Sequence, residues 1–320
     1  MDGGWIAVTV ARREAAAEGV ASFELRRADG APLPAFEAGA HIDVELPGGL
    51  VRQYSLCNRP GERERYLIGV LLEPNGRGGS RSAHERLAPG TALRIGAPRN
   101  HFALVPAKHS ILLAGGIGVT PILAMAEALT AADASFELHY CSRSLARTAF
   151  AERLAAAPYA SRVSLHHDDG PAAQQFDAAR VLAAPAPDTH LYVCGPKGFM
   201  DHVILSATAQ GWAAGHIHYE YFAGAVIDHR ADGPFEVQVG RGGRVIRVEA
   251  DQSVVAALAA AGVELPVSCE QGVCGTCITR VLGGTPDHRD LYFNEAEHAA
   301  NDQFTPCCSR SKTPRLVIEL

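Results

Sequence analysis

No stretch of the chain approaches the roughly 18 consecutive apolar residues that a membrane-spanning helix needs. The N-terminus, MDGGWIAVTVARREAA, also lacks the basic region, apolar run and cleavage site of a secretion signal. The expectation is a cytoplasmic protein with no membrane partner. Basic excess is missing too: the formal net charge is −6, which offers no footprint for a nucleic acid, although an acidic balance suits docking onto a basic protein. Repeats and low-complexity tracts are absent apart from alanine enrichment, and nothing resembles a Ser-His-Asp arrangement. What remains is a chain of 320 residues, 47% hydrophobic and 20% charged, an ordinary globular composition. At roughly 100 to 150 residues per domain the length predicts two or three cores, and the pattern below favours three.

Eight cysteines in a long chain without a secretion signal do not suggest disulfides, and five of the eight fall in the last 52 residues. That clustering predicts a metal site. The other three, Cys57, Cys141 and Cys194, sit in apolar or strand-like sequence and are expected to be buried.

From Gly39 to Asn58 the sequence alternates apolar and polar residues on both sides of Gly48-Gly49, which predicts two strands and a tight turn within an all-β first hundred residues. Beyond Pro106 the pattern becomes apolar strand, glycine turn and alanine-rich helix: SILLAGG, IGV, TPILAMAEALTAA. Strand-like SFELHYCSR, a helix from Ser144 to Ala157, strand-like RVSLHHD and then THLYVCGP leading into KGFMDHVILSATAQG repeat the alternation, so a parallel doubly wound sheet is expected. After the polar linker IDHRADGP, the segment FEVQVGRGGRVIRVEA reads as a hairpin around Gly242-Gly243. A short helix follows, capped by Asp251 and ended by Gly262, and RLVIEL supplies a last strand. This third part is a small α+β unit.

SCEQGVCGTCITRV places Cys269, Cys274 and Cys277 in C-x4-C-x2-C spacing, with a further thiol downstream at Cys307 or Cys308; this is the plant-type 2Fe-2S pattern. A loop must curl around the cluster while glycines let amides approach its sulfurs, and Gly272 and Gly275 meet that need. A four-cysteine zinc site is the alternative, although zinc usually pairs two short C-x2-C units. Spacing alone does not separate Cys307 from Cys308.

RQYSLCN, Arg52 to Asn58, supplies a guanidinium for a phosphate, an aromatic face at Tyr54, a hydroxyl at Ser55 and an apolar contact at Leu56. NGRGGSRS, with Gly76, Gly78, Gly79 and Ser80, is a small-residue loop whose amides can form a phosphate nest. AGGIGVTPILAM follows a buried strand and opens a helix, so Gly115, Gly116 and Gly118 permit backbone approach to a pyrophosphate, although the segment is not G-x-G-x-x-G. Taken singly, the strand residues and the glycine cluster have plainer readings as packing and turns. His166, His167, Asp168 and Asp169 end a strand and are read as a solvated turn rather than a metal site.

The R-x-Y-S of the first segment, GGxGxTP and the CGP of Cys194, Gly195 and Pro196 resemble the ferredoxin-reductase superfamily. CEQGVCGTC, PCCSRS and the terminal strand resemble the phthalate dioxygenase reductase and vanillate demethylase reductase family, over nearly the whole chain. The resemblance implies an antiparallel β-barrel flavin domain (1–104), a doubly wound α/β nicotinamide domain (105–227) and an α+β β-grasp ferredoxin domain (228–320). It implies FMN rather than FAD, with Arg52, Tyr54, Ser55, Leu56, Gly78, Gly79 and Ser80 around the flavin and Ser55 near its N5. By the same resemblance Thr120 and Cys194 lie beside the nicotinamide, Phe222 stands over the flavin with Glu220 nearby, and Cys307 is the fourth cluster ligand. NADH is the implied donor; Ser142, Arg143 and Arg147 keep NADPH open. The implied activity is an NADH-dependent oxidoreductase that passes electrons through FMN and a 2Fe-2S cluster to a Rieske-type terminal oxygenase, docked transiently, for hydroxylation or O-demethylation of an aromatic acid. A cytochrome P450 or other haem protein is the competing acceptor.

Overall fold

The computed structural model describes residues 4–183, 185–224 and 227–320. Residues 1–3 and 225–226, which belong to the spans expected for the first and second domains, lie outside the described residues. The chain forms two compact units, Met1–Glu220 and Tyr221–Leu320.

The first unit holds two sheets. The alternating segments of the first hundred residues pair in the order Val51–Ser55, Ala40–Glu45, Ala92–Ile95, Ile6–Ala17, Val20–Arg27 and Tyr66–Leu71, with Arg99–Asn100 added beside Ala40–Glu45. Every pair is antiparallel. A bridge between Leu56 and Ile68 joins the two ends of this order and closes the barrel. The hairpin turn falls where it was expected, at Gly48 and Gly49, whose φ values of 100° and 81° favour glycine. Ile42, Val44, Leu56 and Ile68 are fully buried inside.

One element interrupts the all-β reading. The glycine-rich segment expected to be a loop starts a helix, Gly79–Arg86, with Gly78 left-handed (φ 81°) at its N-cap. The glycines set the entry turn, and the following Ser-Arg-Ser-Ala-His-Glu-Arg carries the helix.

The second sheet is wholly parallel, ordered Val163–His167, Phe136–Ser142, His109–Gly115, Thr189–Cys194, Ile217–Glu220. In chain order the strands run third, second, first, fourth, fifth, so the order reverses between His109–Gly115 and Thr189–Cys194. Ligands bind in α/β sheets at the carboxyl ends of strands flanking such a reversal. The helix Val119–Ala131 is apolar on most of its faces and buried over most of its length, and its Leu123 and Met125 share a core with Val20, Cys57 and Phe102 of the barrel side. The helix expected from Ser144 to Ala157 is broken: only Ala151–Ala155 is α-helical, preceded by a short 3-10 turn at Leu145–Arg147. Phe150 adopts a left-handed φ of 61°, and the Thr148 hydroxyl bonds to the Ser144 carbonyl (3.0 Å) and the Ser142 hydroxyl (2.7 Å), fixing a turn where a helix would run.

In the second unit a mixed sheet is ordered Val245–Val248, Phe235–Val239, Arg315–Ile318, Thr279–Gly283, Gln303–Phe304. It packs Val237, Val248, Phe304, Leu316 and Ile318 against Val254 and Leu258 of the helix Val254–Ala260, the β-grasp arrangement. That helix is capped by Ser253 rather than Asp251: the Ser253 hydroxyl accepts the Ala256 N–H at 3.1 Å. Gly262 ends it as expected, at φ 78°. The arginine of PCCSRS, Arg310, is buried, donates to the carbonyls of Gly233, Glu249 and Gln252 and lies 5.0 Å over the Phe235 ring.

Candidate nucleotide and iron–sulfur sites

The parallel sheet brings the two glycine motifs together. Gly115 ends one central strand, and Cys194-Gly195-Pro196 leaves its neighbour. The two loops meet backbone against backbone: a Cβ on Gly118 would overlap the Cys194 carbonyl, one on Gly195 would come within 2.9 Å of the Gly115 Cα, and one on Gly115 within 2.7 Å of the Phe199 ring and 3.0 Å of Pro196. Gly116 takes a left-handed φ of 52° with nothing within 4 Å of its would-be Cβ. The helices Val119–Ala131 and Lys197–Ala209 both begin at this crevice. Their positive dipole ends, with the glycine backbone between them, are suited to a pyrophosphate.

Thr120 is buried in the first turn, with its hydroxyl donated to the Ile117 carbonyl at 3.0 Å. Its methyl packs on Gly69 of the barrel, where a Cβ would come within 2.9 Å of it and 3.2 Å of Phe150. Gly69 was missed, although a glycine inside the apolar run YLIGVLL is the signal of a close backbone approach. Cys57 and Cys194 are fully buried, as expected, and Cys141 half-buried. Burial raises all three thiols, Cys57 and Cys141 to about 12, so they are neutral at physiological pH. Near Cys194 lies Glu220, whose carboxyl burial pushes up to about 8; one oxygen is 3.8 Å from His41 Nδ1 and the other has no hydrogen-bond partner among the described residues.

Of the three candidates for a 2′-phosphate, Ser142 is buried and bonded within its own turn, and Arg147 is paired with Glu18 at 2.8 Å. Arg143 is exposed. His166 and His167 are not a solvated turn: both are buried, His166 bonded to His139 (3.0 Å) and the Gln174 carbonyl (3.0 Å), His167 to Thr148 (3.1 Å). The Phe176 ring packs edge-on against His166.

On the barrel, Arg52 reaches across to the Gly79–Arg86 helix. Its guanidinium donates to the carbonyls of Val51 (2.7 Å) and Arg77 (3.1 Å), and its side chain occupies the space a Cβ on Gly79 would fill, 2.6 Å from Nε. The helix has no acidic residue in its first turn. A guanidinium beside the amides of Gly79 and Ser80 fits a phosphate. Ser80 also accepts the Glu73 N–H at 3.0 Å, closing the loop. Tyr54 is half-buried, its phenol raised to about 12 by burial, and Ser55 and Leu56 are buried beside it. Phe222 belongs to the second unit and is 38% exposed.

In the second unit, four thiols converge. Cys269 contacts Cys274 and Cys307, and Cys307 also contacts Cys277. The loop that gathers them turns through left-handed residues at Glu270, Gly272 and Gly275. Amides point at the sulfurs: Gln271 (3.3 Å) and Val273 at Cys269, Thr276 at Cys274, Cys307 at Cys277. Hydrogen bonds from Cys274 and Cys307 lower the Cys269 thiol; Cys307 is raised by donating to Cys269 and Cys277. A thiol ring lined by backbone N–H groups fits an anionic iron–sulfur cluster. The two adjacent thiols touch each other but face different neighbours. Cys308 turns to the Thr305 hydroxyl at 3.3 Å and lies where a Gly272 side chain would be.

Fold and sites together define an oxidoreductase with a nicotinamide-binding module and an iron–sulfur module. Residues 112–204 match the oxidoreductase NAD-binding domain family and residues 237–312 the 2Fe-2S iron-sulfur cluster binding domain family. The chain is 58% identical to a vanillate O-demethylase oxidoreductase of Pseudomonas putida, over 98% of this chain and 99% of that one. Among solved structures, phthalate dioxygenase reductase, described as a modular structure for electron transfer from pyridine nucleotides to [2Fe-2S], matches at a TM-score of 0.78 and 40% identity over 99% of this chain and 98% of that one. An intact type IV self-sufficient cytochrome P450 monooxygenase matches at a TM-score of 0.85 and 38% identity, over 99% of this chain and 41% of that one. The chain belongs to the vanillate O-demethylase oxidoreductase and phthalate dioxygenase reductase family. The cysteine loop therefore belongs to a 2Fe-2S domain rather than a zinc site.

Proposed function

We propose that the protein takes hydride from NADH and delivers electrons one at a time to a Rieske-type terminal oxygenase that hydroxylates or O-demethylates an aromatic acid. The reading is carried by one combination: a glycine crevice for a nicotinamide dinucleotide and a ring of four thiols are both present in a single chain. FMN and a 2Fe-2S cluster, when bound, supply the conversion of a two-electron donor into one-electron steps.

The side chains do the positioning. Arg52 and the helix start at Gly78, Gly79 and Ser80 hold the flavin phosphate, while Tyr54, Ser55 and Leu56 wall the ring, with Ser55 within reach of N5. Gly115, Gly116, Gly118, Gly195 and Pro196 admit the pyrophosphate, so that Thr120 and Cys194 border the nicotinamide; a neutral, buried Cys194 shapes that border without offering a charge. Phe222 covers the flavin. Cys269, Cys274, Cys277 and Cys307 hold the cluster. We assign these roles to three modules, 1–104, 105–227 and 228–320, of a cytoplasmic carrier that docks transiently. Among the described residues no helix is long and apolar enough to cross a membrane.

An anaerobic NADH titration tests the relay. Uptake of three electrons, with flavin and cluster bands bleaching together, is the expected outcome; two electrons with the flavin alone changing overturns it. The P450 likeness favours a haem protein as second acceptor. Steady-state turnover with a purified oxygenase and with a purified P450 separates the two.

A further inference from the structure

A second cluster of metal-ligating side chains lies in the second unit, among residues not assigned to any cofactor. His288, Asp290 and His298 bring one ligand atom each within 4.8 Å of one another. His298 Nε2 is 3.2 Å from Asp290 Oδ2, and His288 Nδ1 is 3.8 Å from Asp290 Oδ1. The two imidazole rings stand 4.5 Å apart, tilted by 32°. Donors around a tetrahedral zinc-class ion at about 2.0–2.2 Å from the metal are spaced about 3.3 Å apart, so side-chain shifts that shorten these separations by up to about 1.5 Å bring the set into range.

His288 needs explaining on other grounds. Its side chain is only 7% exposed, and its ring nitrogens meet just the Asn301 side chain and Asp290 Oδ1 at 3.8 Å, neither at good hydrogen-bond geometry. A buried imidazole with such weak partners is costly unless something else satisfies it. Burial, and after it the neighbouring His298, lower its pKa, with Asp290, Asn301 and Lys312 as further neighbours. A neutral imidazole is the ligand form. The amides of Tyr292 (3.2 Å) and Phe293 (2.9 Å) donate to Asp290 Oδ2, the oxygen beside His298, and fix the carboxylate while Oδ1 faces His288. His298 is fixed on the helix Glu295–Ala300, whose start is locked by the reciprocal Asn294–Glu297 capping box. At 28% exposure it leaves the fourth position open to water.

We propose that His288, Asp290 and His298 form a binding site for one redox-inactive divalent cation of the zinc class. Two imidazoles and a carboxylate suit such an ion better than calcium or magnesium, which prefer all-oxygen sites. The ion ties the segment around Asp290 to the Glu295–Ala300 helix. Because the Asp290 Cα stands where a Gly272 side chain would be, at 2.9 Å, it also braces the loop that carries the cluster cysteines.

The test uses the full chain with flavin and cluster in place, stripped of loose metal with a mild chelator and dialysed against zinc chloride. The expected result is uptake of one zinc per chain at micromolar free zinc, with the iron content and visible bands unchanged. His298→Ala and Asp290→Asn should weaken uptake at least tenfold, and His202→Ala, an exposed histidine elsewhere, should leave it unaltered. His298→Gln separates metal binding from folding: it keeps a hydrogen-bond donor toward Asp290, so its melting temperature in chelator should match wild type while zinc uptake is lost. No stoichiometric uptake below millimolar zinc overturns the proposal. So does equal uptake by wild type and His298→Gln, or uptake that proceeds only with loss of iron, which would put the zinc on the cysteines.

Discussion

The two units build their sites from different material. In the nucleotide crevice of the first, the decisive contacts at Gly118 and Gly195 are main chain against main chain, while Gly115 makes room for the Phe199 ring and Pro196. In the cluster loop of the second, the decisive groups are side chains, and glycine serves to turn the loop and to make room for them. Gly272 leaves space for Cys308 and Asp290, and Gly275 for the Tyr292 ring. A backbone cannot step aside, whereas a ring can rotate, so equal substitutions should have unequal consequences.

The largest effect should come from Gly118→Ala. Its Cβ overlaps the Cys194 carbonyl, and we expect a loss of at least about 3 kcal/mol in urea denaturation, together with loss of NADH binding. Gly275→Ala meets only the outer ring atoms of Tyr292, at 2.5 Å. Once that ring swings away, the residual strain of φ 69° is about 1–2 kcal/mol. Equal losses for the two would mean that the contrast between backbone and side-chain sites is wrong.

The units also treat a buried carboxylate differently. Asp232 in the second is only 3% exposed but meets Arg289 (2.6 Å), His229 (2.7 Å) and Arg310 (3.6 Å), and the Arg289 hydrogen bonds lead in lowering its pKa to about 2. Because the folded value lies below the unfolded one, its stabilisation is present above about pH 4 and is lost as pH falls through about 2. Asp232→Asn should therefore cost about 2 kcal/mol at pH 7 and much less near pH 2. Stability curves of the two proteins that stay parallel down to pH 2 would contradict this.

Glu220 in the first unit is the opposite case, raised to about 8 by burial alone. Between about pH 4.5 and 8 the folded state holds a proton that the unfolded state has lost, so its contribution to stability falls as pH rises, by at most ~1.4 kcal/mol per pH unit. Glu220→Gln carries no such charge. Urea midpoints at pH 5.5 and 7.5 should differ less for the variant than for wild type. A larger difference in the variant would mean that Glu220 is paired rather than isolated.

The same contrast explains what could be read from the sequence. Alternation and apolar runs disclosed the barrel hairpin, the parallel strands and the β-grasp hairpin, because each buries a periodic face. Cysteine spacing pointed to the cluster loop, since the chemistry names its residue type. Other features escaped. The Gly79–Arg86 helix was hidden behind the glycines that start it, and the break at Phe150 depends on hydroxyl bonds among Ser142, Ser144 and Thr148 that periodicity does not report. The histidines at 166 and 167 were read as solvated because residue type says nothing about what packs over them; they bond His139 and Thr148 in the interior. Cys307 and Cys308, adjacent residues of one type, differ only in which groups their thiols meet: Cys307 reaches Cys269 and Cys277, Cys308 the Thr305 hydroxyl.

The smallest expected effect concerns the cap of the Val254–Ala260 helix, where two acceptors stand two residues apart. Asp251 was the sequence choice, since a carboxylate also favours the positive end of a helix. Ser253 takes the role because its extended backbone (φ −76°, ψ 157°) directs the hydroxyl onto the Ala256 N–H. Asp251 lies two residues too early and is exposed. Ser253→Ala should cost about 1 kcal/mol, and Asp251→Ala no more than a few tenths, in thermal melts followed through the loss of cluster absorbance. Both helix faces and the sheet beneath are unchanged by either substitution, so the difference isolates the cap. Equal melting temperatures would show that packing of Val254 and Leu258, rather than the hydroxyl, fixes where this helix begins.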